Sequence, residues 1–354
     1  MKILIDIGHP AHVHYFKNFI YEMSRKNHEF LVIARNKEVT IDLLNAFEIP
    51  FISRGRGASG FLGKILYYPI ALCIIIKKAL FFKPDFFLSF GTIYPPIVAF
   101  LFNKPMVAIT DTEHDFLSNF ILKPFSDVIL TPSFFREKFG KNHLKVNTLV
   151  ELGSLHPEYF RPDISVKKKY LNINDNEKFI IIRFVEWNAS HDLNENGLSL
   201  TSKRTIVSEL CKIYKVFISS EGILDDEFKN HQLKIPAEKM HDVLFYSELF
   251  FGESGTMAVE SALLGTPAIT FSSSAKKCGN FLDLRDKYEL LFYFEDDNKA
   301  LNCAKKLLGD HESKSKWKLK SEKLINETIN FTKFLIWFFE NYPHSKSNYK
   351  SFNN

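Results

Sequence analysis

A chain of 354 residues is long enough for two domains with a core each, and 45% hydrophobic with 25% charged residues is the composition of a soluble globular protein. The formal charge of +5 suits anionic small molecules or a membrane surface and is too small to argue for nucleic acid. The four cysteines, Cys73, Cys211, Cys278 and Cys303, form no CxxC pair, so neither a disulfide framework nor a zinc site is indicated.

The N-terminus enters a strand directly, MKILIDIG, without a leader, so a cytoplasmic protein is expected. Short apolar runs then alternate with longer amphipathic ones. KILIDI, EFLVIA, PFIS, DFFLSF, PMVAIT and DVILTP read as strands, with helices near residues 15–26, 37–47, 61–82, 94–102 and 116–124. The third helix lies in GKILYYPIALCIIIKKALFFKP, apolar from Ile65 to Ile76 and bounded by Lys64, Lys77, Lys78 and Lys83. Crossing a bilayer takes about 20 apolar residues, and this run is shorter and holds Pro69. A helix packed on a sheet is therefore expected. The alternative is an interfacial patch, aromatics in lipid and lysines at anionic headgroups, giving peripheral contact with the inner face of the membrane.

A further strand, KVNTLVELG, is expected to end near Gly153, closing a first domain at residues 1–155. Residues 156–177, rich in Pro, Asn and charge, read as a linker. Alternation restarts with KFIIIRF, KVFISS, ELFFGE, PAITF and ELLFYF, and helices near 202–213, 238–246 and 256–264, giving a second domain at 178–313. Residues 314–340 read as one long helix, aromatic at its end and expected to pack back on the first domain. Residues 341–354 read as a polar, mobile tail.

The pattern is α/β: two doubly wound, Rossmann-like parallel domains, expected to face each other across a cleft. Ligands of such sheets sit beyond the carboxyl ends of the strands. The segments there are DIGHPAHVHYF, SFGTIYPP, ITDTEHDF, RFVEWNASHD, ISSEG and FGESGT. In FGESGTMAVESALLGTPAI a strand, a small-residue loop and a helix N-terminus make an anion site, because first-turn N–H groups and the helix dipole favour phosphate. Ser254 serves there as N-cap or phosphate ligand, and Gly255 lets a ligand approach the backbone. An ordinary capped helix has the same residues, and both readings stay open. His9, His12 and His14 offer an imidazole base. They also invite a metal reading, which is set aside because the chain has no Asp-x-Asp and no other Cys/His cluster. In ITDTEHD, Asp111, Glu113 and His114 are expected to face the same cleft, while Asp115 suits a helix N-cap.

The layout resembles the GT-B glycosyltransferases, especially the peptidoglycan N-acetylglucosaminyltransferase, and the related non-hydrolysing UDP-N-acetylglucosamine 2-epimerases. More closely, DIGHPAHVH, ITDTEH, RFVEWNASHD, ISSE and GESGTMAVESALLGTPAI are similar to an uncharacterised GT-B-like family carried as a domain of unknown function, from Met1 to near Tyr342. The resemblance implies that Ser254, Gly255 and Thr256 bind the diphosphate of a nucleotide sugar, UDP-linked, and that Glu260 binds its ribose. Gly8, Arg183, Asn188, Ser190, His191, Glu221 and His241 are the further donor contacts it suggests, although RFVEWNASHD lacks the relatives' Gly-rich form. His12 takes the place of the catalytic base, with Asp111 or Glu113 orienting it or holding the acceptor. No metal and no cofactor beyond the donor is implied. The activity implied is an inverting, metal-independent glycosyltransferase acting on a glycan or lipid-linked acceptor in cell-surface polysaccharide assembly. A 2-epimerase is the alternative, against which the chain lacks the Gly-Thr-Arg-Pro-Glu and His-x-Glu-Ala-Gly-Leu-Arg segments. A non-catalytic nucleotide-sugar-binding protein is the third reading.

Overall fold

In a computed structural model, which describes residues 1–58, 60–185 and 197–353, the chain forms two compact units. The first is Met1–Tyr159 with Thr328–Asn354, and the second is Phe160–Glu327.

In the first unit the chain runs β1 (Lys2–Ile7), α1 (Pro10–Arg25), β2 (Glu29–Ala34), α2 (Thr40–Ala46), β3 (Phe51–Ser53), α3 (Phe61–Phe82) and β4 (Phe86–Phe90). It continues through α4 (Tyr94–Phe102), β5 (Met106–Ile109), α5 (Phe116–Phe125), β6 (Val128–Pro132), β7 (His143–Val146) and α6 (Leu152–Leu155). The strands pair in parallel in the order β3-β2-β1-β4-β5-β6-β7. The inner strands are mostly Ile, Leu, Val and Phe because helices cover both faces of such a sheet, whereas edge strand β7, His-Leu-Lys-Val, alternates. On one face Ile75 and Ala79 of α3, Val98 of α4 and Leu122 of α5 pack on Leu4, Ile33, Phe87, Ala108 and Ile129. The third helix is thus packed on the sheet, as expected, and runs unbroken through Pro69.

Two boundaries differ from the sequence reading. α1 starts at Pro10, because the His9 ring accepts the Ala11 N–H at 3.2 Å and Pro10 supplies a preset first-turn φ. β7 ends at Val146; the expected strand beyond it becomes a buried turn and α6.

The second unit runs α7 (Ser165–Lys169), β8 (Phe179–Phe184), α8 (Leu200–Cys211), β9 (Lys215–Ser220), α9 (Met240–Tyr246), β10 (Leu249–Gly252) and α10 (Gly255–Leu263). Then come β11 (Ala268–Phe271), α11 (Gly279–Asp286), β12 (Leu291–Phe294), α12 (Asp297–Gly309) and α13 (Ser313–Glu327). Its parallel order is β12-β11-β10-β8-β9. Helices α11 and α12 were not read from the sequence; they are short and charged, and Asp296 caps α12 by accepting the Lys299 N–H at 2.8 Å. In both sheets the strand order reverses once, between β1 and β4 and between β8 and β10, and the loops part at these points.

The single helix expected at 314–340 is two helices. α13 stays with the second unit: Lys314 donates to the carbonyls of Phe245 (2.6 Å) and Ser247 (2.7 Å), and the Trp317 indole donates to Leu290 O at 2.6 Å. Asn330 then caps α14 (Phe331–Glu340), which belongs to the first unit. The expected mobile tail carries α15 (His344–Asn348), and Phe352 packs on Phe334 and Trp337. Helices α1, α6 and α14 meet at Gly153, whose carbonyl accepts from Asn18 Nδ2 (2.7 Å) and Thr332 Oγ1 (3.0 Å). A Cβ at Gly153 would lie 2.6 Å from Tyr15 O, so the backbones could not hold this approach. Gly153→Ala is expected to destabilise the first unit by about 1–3 kcal/mol in urea unfolding.

Candidate functional site

The second unit gathers polar groups at the reversal between β8 and β10. The strands come together so closely there that a Cβ at Gly252 would lie 2.5 Å from Arg183 O. Arg183 closes β8, donating from Nη1 to Ser219 Oγ (2.7 Å) and from Nη2 to Glu221 Oε1 (3.0 Å), while its buried Nε–H has no partner among the described residues. Ser254 is the N-cap of α10, its hydroxyl accepting the Met257 N–H at 3.4 Å. The N–H groups of Gly255 and Thr256 belong to the first turn, which an α-helix leaves without intrahelical acceptors, and both residues are half-exposed. Gly255 has a packing cause: a Cβ there would meet the Phe281 ring at 2.9 Å, so packing by itself disfavours a side chain.

Glu260 is 5% exposed and its Oε1 lies 3.2 Å from His241 Nε2, joining α10 to α9. Two residues that the sequence reading placed separately on the donor are therefore partners in one buried pair. Asn188, Ser190 and His191 lie outside the described residues.

Glu253 is the second-unit residue that the sequence reading passed over. Its carboxylate is buried and accepts the N–H of Val185 at 3.1 Å and of Leu198 at 2.6 Å, with Lys203 Nζ at 3.8 Å. It thus ties together the two backbone positions on either side of residues 186–196. The available signal was its place in Gly-Glu-Ser-Gly, directly after a fully buried strand, where a carboxylate needs donors.

In the first unit the reversal between β1 and β4 is organised by a pair that the sequence reading also missed. Asp6 is fully buried in β1 and accepts from Arg54 Nε at 2.9 Å and Nη2 at 3.4 Å. Arg54 lies 4.9 Å over the Tyr94 ring and bonds the Tyr67 hydroxyl at 3.4 Å. Burial works against its charge, but Asp6 and Tyr67 more than offset that and raise its pKa. The signal was a lone carboxylate in the apolar run KILIDI; its partner, far along the chain, left none. Beside the pair, a Cβ at Gly8 would press on Thr92 Cγ2 at 3.0 Å.

The three histidines do different things. His9 caps α1 and His14 packs edge-on to Phe47. His12 lies in the first turn of α1, not in a loop, and is 8% exposed against Phe90 and Tyr15. Burial, then the positive surroundings of His9, Lys37 and Arg54, hold its pKa well below the usual value. Its Nδ1 accepts the Gly8 N–H at 3.3 Å, which leaves the ring proton of the neutral form on Nε2. No carboxylate bonds His12 among the described residues. Asp111, after β5, accepts from Thr112 Oγ1 at 2.9 Å, and its pKa is pushed up to about 6 by burial, with Glu113 adding to the rise. Glu113 is buried and accepts the Arg136 N–H at 3.0 Å, and Asp115 caps α5 through the Ser118 N–H at 3.2 Å. Among the described residues no group of three His, Cys, Asp or Glu is placed to hold a metal ion.

Two parallel α/β sheets of seven and five strands, each with its polar groups at the order reversal, match the GT-B glycosyltransferases and the 2-epimerases of that fold. The chain belongs to the family described as Protein of unknown function (DUF354), whose model matches residues 1–331. It is 24% identical over 287 residues to the uncharacterised protein MJ0665 of Methanocaldococcus jannaschii, which covers 76% of this chain and 81% of that one. Among solved structures it is similar to the UDP-GlcNAc 2-epimerase from Neisseria meningitidis bound to UDP-GlcNAc. The TM-score is 0.68 at 15% identity, over 96% of this chain and 99% of the other. The spinosyn rhamnosyltransferase SpnG complexed with thymidine diphosphate gives a TM-score of 0.63 at 12% identity, over 96% and 100%.

Glu253→Ala leaves two backbone N–H groups without their acceptor and is expected to cost the second unit about 2–4 kcal/mol in urea unfolding. A pH effect is expected in the first unit. His12 is held below 6.5, and His143 is brought to about 4, mainly by burial. The unfolded chain therefore takes up protons first as pH falls. The histidine contribution to first-unit stability should be full above pH 6.5 and lost toward pH 4, with Asp111, raised to about 6, working in the opposite sense. His143→Asn should remove the loss due to His143 in unfolding midpoints.

Proposed function

We propose that the protein is an inverting glycosyltransferase that uses a nucleotide sugar, UDP-linked, and a glycan or lipid-linked acceptor in cell-surface polysaccharide assembly. The observation that carries the reading is the β10–Ser254–Gly255–Thr256–α10 junction, placed at the order reversal with Arg183 closing the neighbouring strand. First-turn N–H groups and a guanidinium suit a diphosphate without a cation, because both place positive charge on the leaving group. Glu260, held by His241, is set to accept from ribose hydroxyls.

Acceptor activation belongs to the first unit, with a change of roles. A base must present a lone pair, and the Nδ1 of His12 is engaged by Gly8 N–H while Nε2 carries the proton. His12 is then a neutral N–H donor to developing negative charge, and Asp111, brought to about 6, is the base. Turnover should fall as pH drops through about 6, because only the carboxylate accepts a proton. Asp111→Asn should lower turnover by about 10²–10⁴ and keep UDP affinity.

A 2-epimerase on the same fold would act on the nucleotide sugar alone. Incubation with UDP-N-acetylglucosamine and other nucleotide sugars in deuterated water, with and without acceptors, separates the readings. Transfer releases UDP only with an acceptor and leaves the sugar undeuterated at C2. Conversion without an acceptor, with deuterium at C2, assigns the epimerase. Turnover should also survive EDTA; loss that magnesium or manganese restores would contradict diphosphate neutralisation by the helix alone.

A further inference from the structure

Three neighbouring helices of the first unit leave an apolar face uncovered. α3, α4 and α5 lie side by side on the sheet and each turns large side chains outward. α3 exposes Leu66, Ile70 and Phe81, α4 exposes Phe100, and α5 exposes Phe116 and Phe120. Phe81 is 79% exposed, and Phe116 and Phe120 76% each. Single exposed apolar residues are ordinary; a run of them over three adjoining helices marks an interaction surface. The Ile65–Phe82 segment has a mean hydropathy of 1.9, yet only 17% of it is buried. It packs as a core helix, since its own Ala71, Ile75 and Ala79 are fully buried, Ile75 and Ala79 against the sheet.

The charges carried by the three helices themselves are all of one sign. None of the three helices contains Asp or Glu. Lys77, Lys78, Lys83, Lys104 and Lys123 lie on or beside them, and none of the five pairs with a carboxylate among the described residues. The acids that flank the helices are engaged by backbone: Asp85 accepts from Lys2 N (2.8 Å), Asp115 from Ser118 N (3.2 Å) and Asp127 from Met106 N (2.9 Å).

We propose that this face docks on an anionic lipid bilayer, its aromatic and aliphatic side chains entering the headgroup boundary and its lysines meeting lipid phosphates. A second copy of the chain is the rival occupant. A two-fold contact sets the patch against itself, lysines toward lysines, with no carboxylate on the three helices and the flanking acids already accepting backbone N–H groups, whereas an anionic surface supplies the opposite sign. The inference does not depend on the transferase reading, because docking is measured without substrate.

Co-sedimentation with vesicles tests it. The protein should pellet with phosphatidylcholine–phosphatidylglycerol vesicles, far less with phosphatidylcholine alone, and be released by high salt. The triple variant Phe81→Ser, Phe116→Ser, Phe120→Ser should lose affinity by about tenfold or more with its melting temperature kept, since those rings are already exposed. The variant Lys77→Gln, Lys83→Gln, Lys123→Gln should lose the preference for the anionic vesicles. Failure of the wild type to pellet with either vesicle overturns the proposal. So does equal, salt-insensitive pelleting with both, or a dimer in light scattering that the phenylalanine variant splits while vesicles bind nothing.

Discussion

Each sheet carries a carboxylate buried where its strand order reverses, and the surrounding geometry follows from the need to compensate it. An unpaired carboxylate in such a place costs several kcal/mol, a large share of the net stability of a domain, so donors must be brought to it. Asp6 draws in Arg54 from the far side of the sheet, and Arg54 brings Tyr67 and Tyr94 with it. Glu253 draws in the backbone N–H groups of Val185 and Leu198. In each unit the compensation fixes the loops at the one edge of the sheet where crossovers part and leave room for a ligand.

The two carboxylates are compensated differently. Arg54 answers Asp6 with a side chain at 2.9 Å, and its guanidinium adds a little to the lowering of the His12 pKa that burial mainly causes. Glu253 is answered mainly by backbone, through the N–H groups of Val185 and Leu198. A diphosphate arriving at Gly255 and Thr256 would meet oriented N–H groups and a guanidinium rather than a free carboxylate. The same logic explains Glu260, whose buried position is tolerable because His241 faces it.

Local patterning made the sheets legible. Runs such as KILIDI and FIIIRF are mainly apolar, broken by Asp6 and Arg183, because helices cover both faces of a parallel sheet. The helix starts that depend on a single capping side chain were less so: His9 is an uncommon N-cap, and the start of α1 at Pro10 moved His12 from a loop into a helix. The break at Asn330 hid within a run that is helical on both sides, and only the cap hydrogen bond to Lys333 N marks it. The junction of strand, loop and helix at Ser254, with Ser254 as N-cap, was readable because the three are contiguous in the chain. The Asp6–Arg54 and Glu260–His241 pairs were not, since nothing local in a sequence specifies which distant cation or imidazole a buried carboxylate will find.

The central claim is that the first turn of α10 is a diphosphate site. Titrating UDP into the isotope-labelled protein while following its backbone amide resonances tests it most directly. Saturable binding is expected, with the largest shifts at Gly255 and Thr256, the amides that would face the phosphates. Saturable binding that leaves those two amides unmoved, or no binding at all, would contradict it.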